Sequence, residues 1–206
     1  MNRAVGQHHG DLRRALIDAA LELIADSDVD AVTLRAVARR ARVSAGAPYH
    51  HFEDKNALLA AVALDGFDAL GRRQVEIADR ETTGSARLER LAAEYVLFAW
   101  EHESHYRLMF RTLLLELPGA EAAALDQAAR AAFSRLAEAI TAANPALGQP
   151  ESFQRALLAW SLAHGAVDVG RWGAGLTADL DRSALAADVG RAVRRLALEP
   201  PESDGQ

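Results

Sequence analysis

Apolar residues recur along this chain at intervals of three and four, the spacing that places them on one side of an α-helix. Leu12, Ala15, Leu16, Ala19, Ala20, Leu23 and Ile24 form the first such stripe. Residues 1–10 have no period and read as a loose arm. Asp26 and Ser27 break the stripe, and Thr33 then predicts an N-cap for a short helix carrying Leu34, Val37, Ala38 and Ala41. Ser44 predicts a second cap, opening a short segment through Phe52. Glu53-Asp54-Lys55 starts a long stripe with Leu58, Leu59, Val62, Phe67 and Leu70. After a polar loop at 81–84 come stripes through Leu88 to Phe98, through Tyr106 to Leu117, through Leu125 to Ile140, from Glu151 to Trp172, and from Asp181 to Leu198. Ser104 predicts the cap of the second of these; Pro118-Gly119, Gly173, Gly175 and Pro200-Pro201 are the breakers. The pattern predicts an all-α fold of about nine helices: three short ones at the N-terminus, then six mostly longer ones.

Composition agrees. Ala makes up about a fifth of the 206 residues, and Pro occurs six times, so helix formers dominate. Cysteine is absent, which excludes disulfides, thiolate metal sites and cysteine catalysis. No run nears the ~18 apolar residues of a membrane span, and the first fourteen residues hold no apolar core of a secretory signal. The expectation is a soluble cytoplasmic protein with no membrane partner.

Charge changes the picture locally. The chain carries a net −6, yet between Ala31 and Phe52 stand Arg35, Arg39, Arg40 and Arg42 and no acid. Two short helices joined by about three residues match a helix-turn-helix, whose second helix enters the DNA major groove. Ala45, Gly46 and Ala47 would let backbone approach DNA closely there, and the arginines supply a positive footprint for phosphate. Tyr49 and His50 can donate to phosphate, and Lys55 sits beside the free N–H groups of a helix start.

The pattern Thr33-x3-Val37-Ala38, then Ala41-Arg42-Val43-Ser44-x-Gly46-x-x-Tyr49-x-His51-Phe52-x-x-Lys55-x-x-Leu58, resembles the DNA-binding module of the TetR (tetracycline-repressor-like) family of bacterial regulators, over about residues 10–58. The resemblance implies a DNA-binding helix-turn-helix domain over 1–55 and a ligand-binding and dimerisation domain over 56–206. It implies phosphate contacts from Thr33, Arg35, Ser44, Tyr49, His50 and Lys55, with Ala45, Gly46, Ala47 and Pro48 facing base edges. Those four offer mainly methyl groups for thymine, so Arg3 in the arm, or Arg13 and Arg14, are further candidates for readout. Two departures stand out. The family usually has Gly in the turn where this chain has Arg42, so a different backbone geometry is expected there. Pro48 interrupts the second helix, which is expected to be short and partly 3-10.

The segment Trp160-x3-His164-Gly165, with Tyr106-Arg107-Leu108-Met109-Phe110, resembles the C-terminal domain of a TetR subgroup marked by a Trp-x3-His-Gly motif. That likeness implies a helical bundle with a small-molecule cavity, and Tyr95, Phe98, Tyr106, Met109, Phe110, Phe133, Trp160, His164 and Asp168 are its candidate lining. For any one aromatic taken alone, plain core packing is the stronger reading. His164 shares a face with Trp160 and Asp168, either as a structural pair or as a polar handle for a ligand. TetR-like proteins pair through their last two long helices, which here offer Phe153, Leu157, Leu185, Val189, Ala192 and Leu196.

No catalytic motif is present, and no cofactor is expected. Glu101-His102-x-x-His105 has metal-ligand types but straddles a helix end, so no metal is expected either. The reading is a homodimeric repressor released from a near-palindromic operator by a small, mostly hydrophobic effector. The alternatives are a helical small-molecule-binding protein without DNA binding, and an α-helical enzyme.

Overall fold

The computed structural model describes residues 5–113, 119–171 and 179–198, and side chains over 12–110, 123–171 and 179–198. Arg3, Leu117, Pro118, Trp172, Gly173, Gly175 and Pro200-Pro201, all named above, lie outside the residues so described. Among the described residues the fold is all-helical, with eight α-helices and two 3-10 turns. The helices are α1 (Val5–Asp26), α2 (Leu34–Arg40), α3 (Lys55–Arg80), α4 (Gly84–Glu101), α5 (Glu103–Leu113), α6 (Gly119–Ala143), α7 (Gln149–Gly170) and α8 (Arg182–Leu198). The 3-10 turns are Val29–Ala31 and Ala47–His50.

Packing divides the chain into two units, Met1–Asp68 with His102–Ala128, and Ala69–Glu101 with Ala129–Gln206. The helix-turn-helix boundary expected at residue 55 is therefore not where packing changes: α3 runs on without a break, and α5 joins the first unit.

In the first unit Leu16, Ile24, Val32, Val37 and Leu58 are fully buried. Polar side chains start its helices. Thr33 Oγ1 accepts from Ala36 N–H at 3.1 Å, the cap its sequence position predicts, and Asp54 Oδ1 accepts from Ala57 N–H at 2.8 Å. Arg40 donates to Glu22 (3.2 Å) and Asp26 (2.7 Å), fastening α2 to α1. Asp65 on α3 accepts from Arg14 on α1 (2.6 Å) and lies 3.0 Å from His105 Nε2 on α5. Gly66 lets α5 close in, since a Cβ there would stand 2.8 Å from the Met109 sulfur.

In the second unit α4 is the central element. Leu88, Leu91, Tyr95, Val96, Phe98 and Ala99 are all buried, and both α7 and α8 pack on it. Gly190 sets the α4–α8 spacing, because a Cβ would lie 2.5 Å from the Glu89 carbonyl oxygen. Asp181 caps α8, its Oδ1 accepting from Ser183 and Ala184 N–H at 2.9 and 3.0 Å.

Three boundaries differ from the pattern. α1 begins at Val5, inside the stretch read as an arm: an aperiodic sequence signals no apolar face, which is not the same as no helix. Ser104 lies within the first turn of α5 and is not its cap. α7 begins at Gln149, because Pro150 is tolerated in a first turn, where its missing N–H has no partner to lose.

Candidate DNA-reading unit and ligand cavity

The turn after α2 closes with Val43 N–H bonded to the Ala38 carbonyl (3.0 Å) and Arg42 N–H to that of Arg39 (3.2 Å). This pair defines a Schellman cap, which needs a left-handed residue at its corner. Arg42 occupies it at φ 58°. The different geometry expected of an arginine is thus not adopted; the turn keeps the glycine conformation at the cost of about 1 kcal/mol. Arg42→Gly is expected to raise the unfolding free energy by about 0.5–1 kcal/mol, read from the urea midpoint at unchanged slope. No gain would mean the strain is absent.

The second helix of the pair is the short 3-10 turn Ala47–His50, with Pro48 in its first positions, as the proline predicts. Ser44 does not cap it through its side chain; Gly46 is the cap residue, without a side-chain bond. Pro48 carbonyl accepts from both His51 and Phe52 N–H at 2.9 Å. The Pro48 side chain is buried, so it supports the segment and offers no edge to a partner. Ser44, Ala45, Gly46, Tyr49 and His50 are exposed, with Tyr49 at 54%, and Ala47 is half-buried.

The arginines separate by partner. Arg35, Arg39 and Arg42 are exposed and have no carboxylate partner among the described residues. Arg40, counted in the positive footprint above, is held by Glu22 and Asp26 and contributes little field. Lys55 is half-buried and donates to the Asp30 carbonyl at 3.3 Å. Thr33 is exposed while it caps α2.

The second unit gathers Tyr95, Phe133, Trp160 and His164 from α4, α6 and α7. Tyr95 and Trp160 rings are 5.3 Å apart, Phe133 and Trp160 5.8 Å, and Phe133 reaches Phe153 at 5.5 Å. Tyr95 Oη lies 2.8 Å from His164 Nδ1, and His164 Nε2 lies 3.6 Å from Asp168 Oδ2. A void of about 20 Å³ sits among Gln74, Leu91, Tyr95, Leu136 and Trp160, room for one water molecule. Gln74 is the residue sequence reasoning missed. It is 5% exposed, donates to the Ala132 carbonyl (3.4 Å) and accepts from Arg135 (3.3 Å). Its signal was available: an amide on the buried α3 stripe, between Leu70 and Ile77.

The other candidates fall elsewhere. Phe98 is fully buried, with the Arg73 guanidinium 5.5 Å from its ring centre. Tyr106, Met109 and Phe110 belong to the first unit, where Phe110 meets Tyr106 (5.0 Å) and Phe67 (6.0 Å). Of the candidate dimer residues, Phe153 and Leu157 are exposed, while Ala192 and Leu196 are at most partly buried and Leu185 is half-buried. Val189 is 5% exposed and serves its own core. Among the described residues no group of three or more His, Asp or Glu side chains could hold a metal, and no helix is long and apolar enough to cross a membrane.

Burial lowers the His164 pKa below its ordinary 6.5, with Asp168 opposing as the smaller effect. The neutral ring then accepts from Tyr95 O–H at Nδ1 and turns Nε2–H toward Asp168. Because the folded pKa is depressed, the unfolded chain takes the proton first as pH falls. The stabilisation is complete above about pH 6.5 and is lost as pH drops through the folded pKa. His164→Gln is expected to flatten the melting temperature against pH below about 6.5. An unchanged slope would show that His164 does not titrate across unfolding.

A reading turn with exposed cations on one helical unit, followed by a second helical unit with an aromatic cavity, defines a helix-turn-helix protein with a sensor-like bundle. Comparison with known proteins agrees. The family model described as "Bacterial regulatory proteins, tetR family" matches residues 16–62, and that described as "Tetracyclin repressor-like, C-terminal domain" matches residues 88–189. The HTH-type transcriptional regulator BetI of Cronobacter sakazakii is 51% identical over 53 residues, 26% of this chain and 26% of that protein, so the match spans about a quarter of the curated relative. A solved protein of unknown function from Rhodococcus sp. RHA1 is 30% identical, with 93% of this chain and 98% of that one covered and a TM-score of 0.77. A bacterial regulatory protein in the tetR family from Rhodococcus RHA1 has 23% identity, 90% and 96% coverage and a TM-score of 0.74. The chain belongs to the tetR family of bacterial regulatory proteins.

Proposed function

We propose that the protein is a homodimeric repressor that binds a near-palindromic operator and is released by a small, mostly apolar effector. The observation that carries the DNA half of this reading is Gly46. Its φ of −85° is open to any residue, and an added Cβ would meet nothing within 4 Å. The fold itself has no need of glycine there, so a partner approaching the exposed Ala45–Gly46 backbone is the reason for it. Arg35, Arg39 and Arg42, with Thr33, Ser44, Tyr49, His50 and Lys55, would hold phosphate around it. Ala45 and Ala47 would meet thymine methyls.

The effector half rests on the Tyr95–Trp160 void. Its apolar lining and the single amide of Gln74 suit an uncharged, largely apolar molecule with one polar group. At about 20 Å³ the void must open to admit it, and that opening is the differential interaction a ligand-driven change requires. The same α3 that carries Lys55 in its first turn carries Gln74, so displacement at one bears on the other. A coupling of about 1–3 kcal/mol suffices.

The test is a mobility shift on DNA immediately upstream of the protein's own coding sequence, at several salt concentrations. Arg35, Arg39, Arg42 and Lys55 of both chains, eight cations on phosphate, should give a slope of log K against log[salt] of about −7. Gly46→Leu should leave the unfolding midpoint unchanged and lower operator affinity by about a hundredfold, the loss of close approach at two half-sites. A slope near zero, or full affinity in the Gly46 variant, removes the reading.

A further inference from the structure

Room for a small apolar ligand exists in the first unit, at a place the reading above does not use. A cleft of about 200 Å³ is walled by Phe52, Ala57, Ala60, Ala61, Leu64 and Ala124, and its polar lining side chains are Arg13 and His51. The sequence makes the cleft directly: Ala57, Ala60, Ala61 and Leu64 follow one another at i, i+3, i+4 and i+7, so one face of α3 has three short side chains at its start.

Arg13 gives the cleft its chemistry. Its neighbour Arg14 is paired with Asp18 and Asp65, whereas Arg13 has no carboxylate within ion-pair distance among the described residues. Its guanidinium stands 5.4 Å from the centre of the Phe52 ring, a stacking contact that leaves its N–H donors without an acid. A planar cationic fork beside the Phe52 ring and the α3 alanines recognises a carboxylate on a small apolar body. A cation would be repelled there, and a neutral molecule would forgo the charge-assisted bond.

We propose that this cleft is a second ligand site, on the DNA-reading unit itself, for a small monocarboxylate with one ring or an equally short chain. Arg13 is the counter-ion, and the Phe52 and α3 alanine wall takes the apolar body. Phe52 N–H is bonded to the Pro48 carbonyl, so an occupant bears on the segment that carries Gly46.

The test is calorimetric titration of the full chain with benzoate and with benzamide, its neutral counterpart of the same shape. Benzoate is expected to bind at one site per chain, and benzamide at least about tenfold more weakly. Arg13→Gln, a change at an exposed side chain that leaves the fold intact, should weaken benzoate by at least about tenfold. Ala57→Leu should abolish binding by filling the cleft, while Ala163→Val should leave it unchanged, since Ala163 lines the separate Tyr95–Trp160 void. Absence of saturable benzoate binding at millimolar concentration overturns the proposal, as does binding indifferent to both Arg13→Gln and Ala57→Leu. If benzoate does not bind and Arg13→Gln weakens the operator complex, Arg13 is a phosphate contact and the cleft is not a ligand site. Operator binding by the unliganded wild type is read separately, so failure of either proposal is visible without the other.

Discussion

Replacing Arg155 with alanine is expected to destabilise the protein by about 3 kcal/mol. Arg155 on α7 is only 9% exposed, and its Nη1 donates to the carbonyls of Leu196 (2.9 Å) and Ala197 (3.1 Å). Those belong to the last turn of α8, where helical carbonyls have no N–H partner of their own. Its Nη2 pairs with Glu151 at 3.0 Å. One guanidinium therefore closes the end of one helix and anchors it to another, with its positive charge at the negative end of the α8 dipole. Alanine leaves the Leu196 carbonyl and a half-buried carboxylate without the guanidinium, and the Ala197 carbonyl with only the 3.4 Å bond from Asn144 Nδ2, at about 1–3 kcal/mol for each buried group left unsatisfied. Lysine should recover part of the loss, since its ammonium replaces the charge without the fork. Methionine should recover little, because it fills the volume and leaves the Leu196 carbonyl bare. Urea unfolding at fixed protein concentration measures this. A loss below about 1 kcal/mol would mean that water replaces the guanidinium freely and that α8 is not held here.

Arg155 also illustrates what a sequence conceals. It stands on α7 among Ser152, Ala156 and Ala159, and nothing in that spacing says that its partners are carbonyls some forty residues on. The helices themselves were legible because their signals are local: Thr33 caps α2, Asp181 begins α8, and Pro48 forces a 3-10 turn. The reading segment was legible for the same reason, as fixed spacings over twenty residues. The aromatic candidates were not sorted by the sequence, because burial and stacking are tertiary facts. Tyr95, Phe133, Trp160 and His164 meet across three helices, while Phe98, one turn after Tyr95 on the same stripe of α4, goes to core. Arg40 and Arg42 look alike on paper. One is neutralised by acids a helix away, and the other stands at a strained corner with no acid beside it.

If the protein pairs through α7, as the proposed homodimer requires, Leu162→Glu is expected to give monomers and to lower operator affinity by at least about a thousandfold. α7 exposes Phe153 (58%), Leu157 (52%), Leu158 (49%), Leu162 (42%) and Val169 (44%), an apolar face that water would not select. At about 100° per residue, Ser161 and Gly165 fall in the middle of that face, with Phe153 and Leu157 on one side and Leu158, Leu162 and Val169 on the other. Gly165 has the character of Gly46. A Cβ there would meet nothing within 4 Å, and glycine inside a helix costs about 1 kcal/mol against alanine. Its own chain gains nothing from it, so a second helix lying close across Ser161 and Gly165 is its reason. In the homodimer proposed above, a second copy of α7 would supply that helix by twofold symmetry, and every change at the face would count twice. Two glutamates brought into an apolar crossing without partners each cost several kcal/mol, more than a dimer of ordinary affinity holds in reserve. A monomer carries one reading turn and keeps one half-site, so the operator complex falls with the dimer. Gly165→Ala separates packing from fold: it should raise the stability of the isolated chain slightly while weakening self-association. Sedimentation gives the mass and the mobility shift gives the affinity. If Leu162→Glu sediments as a dimer, the two copies meet on another face, and Gly165 has no explanation in this one.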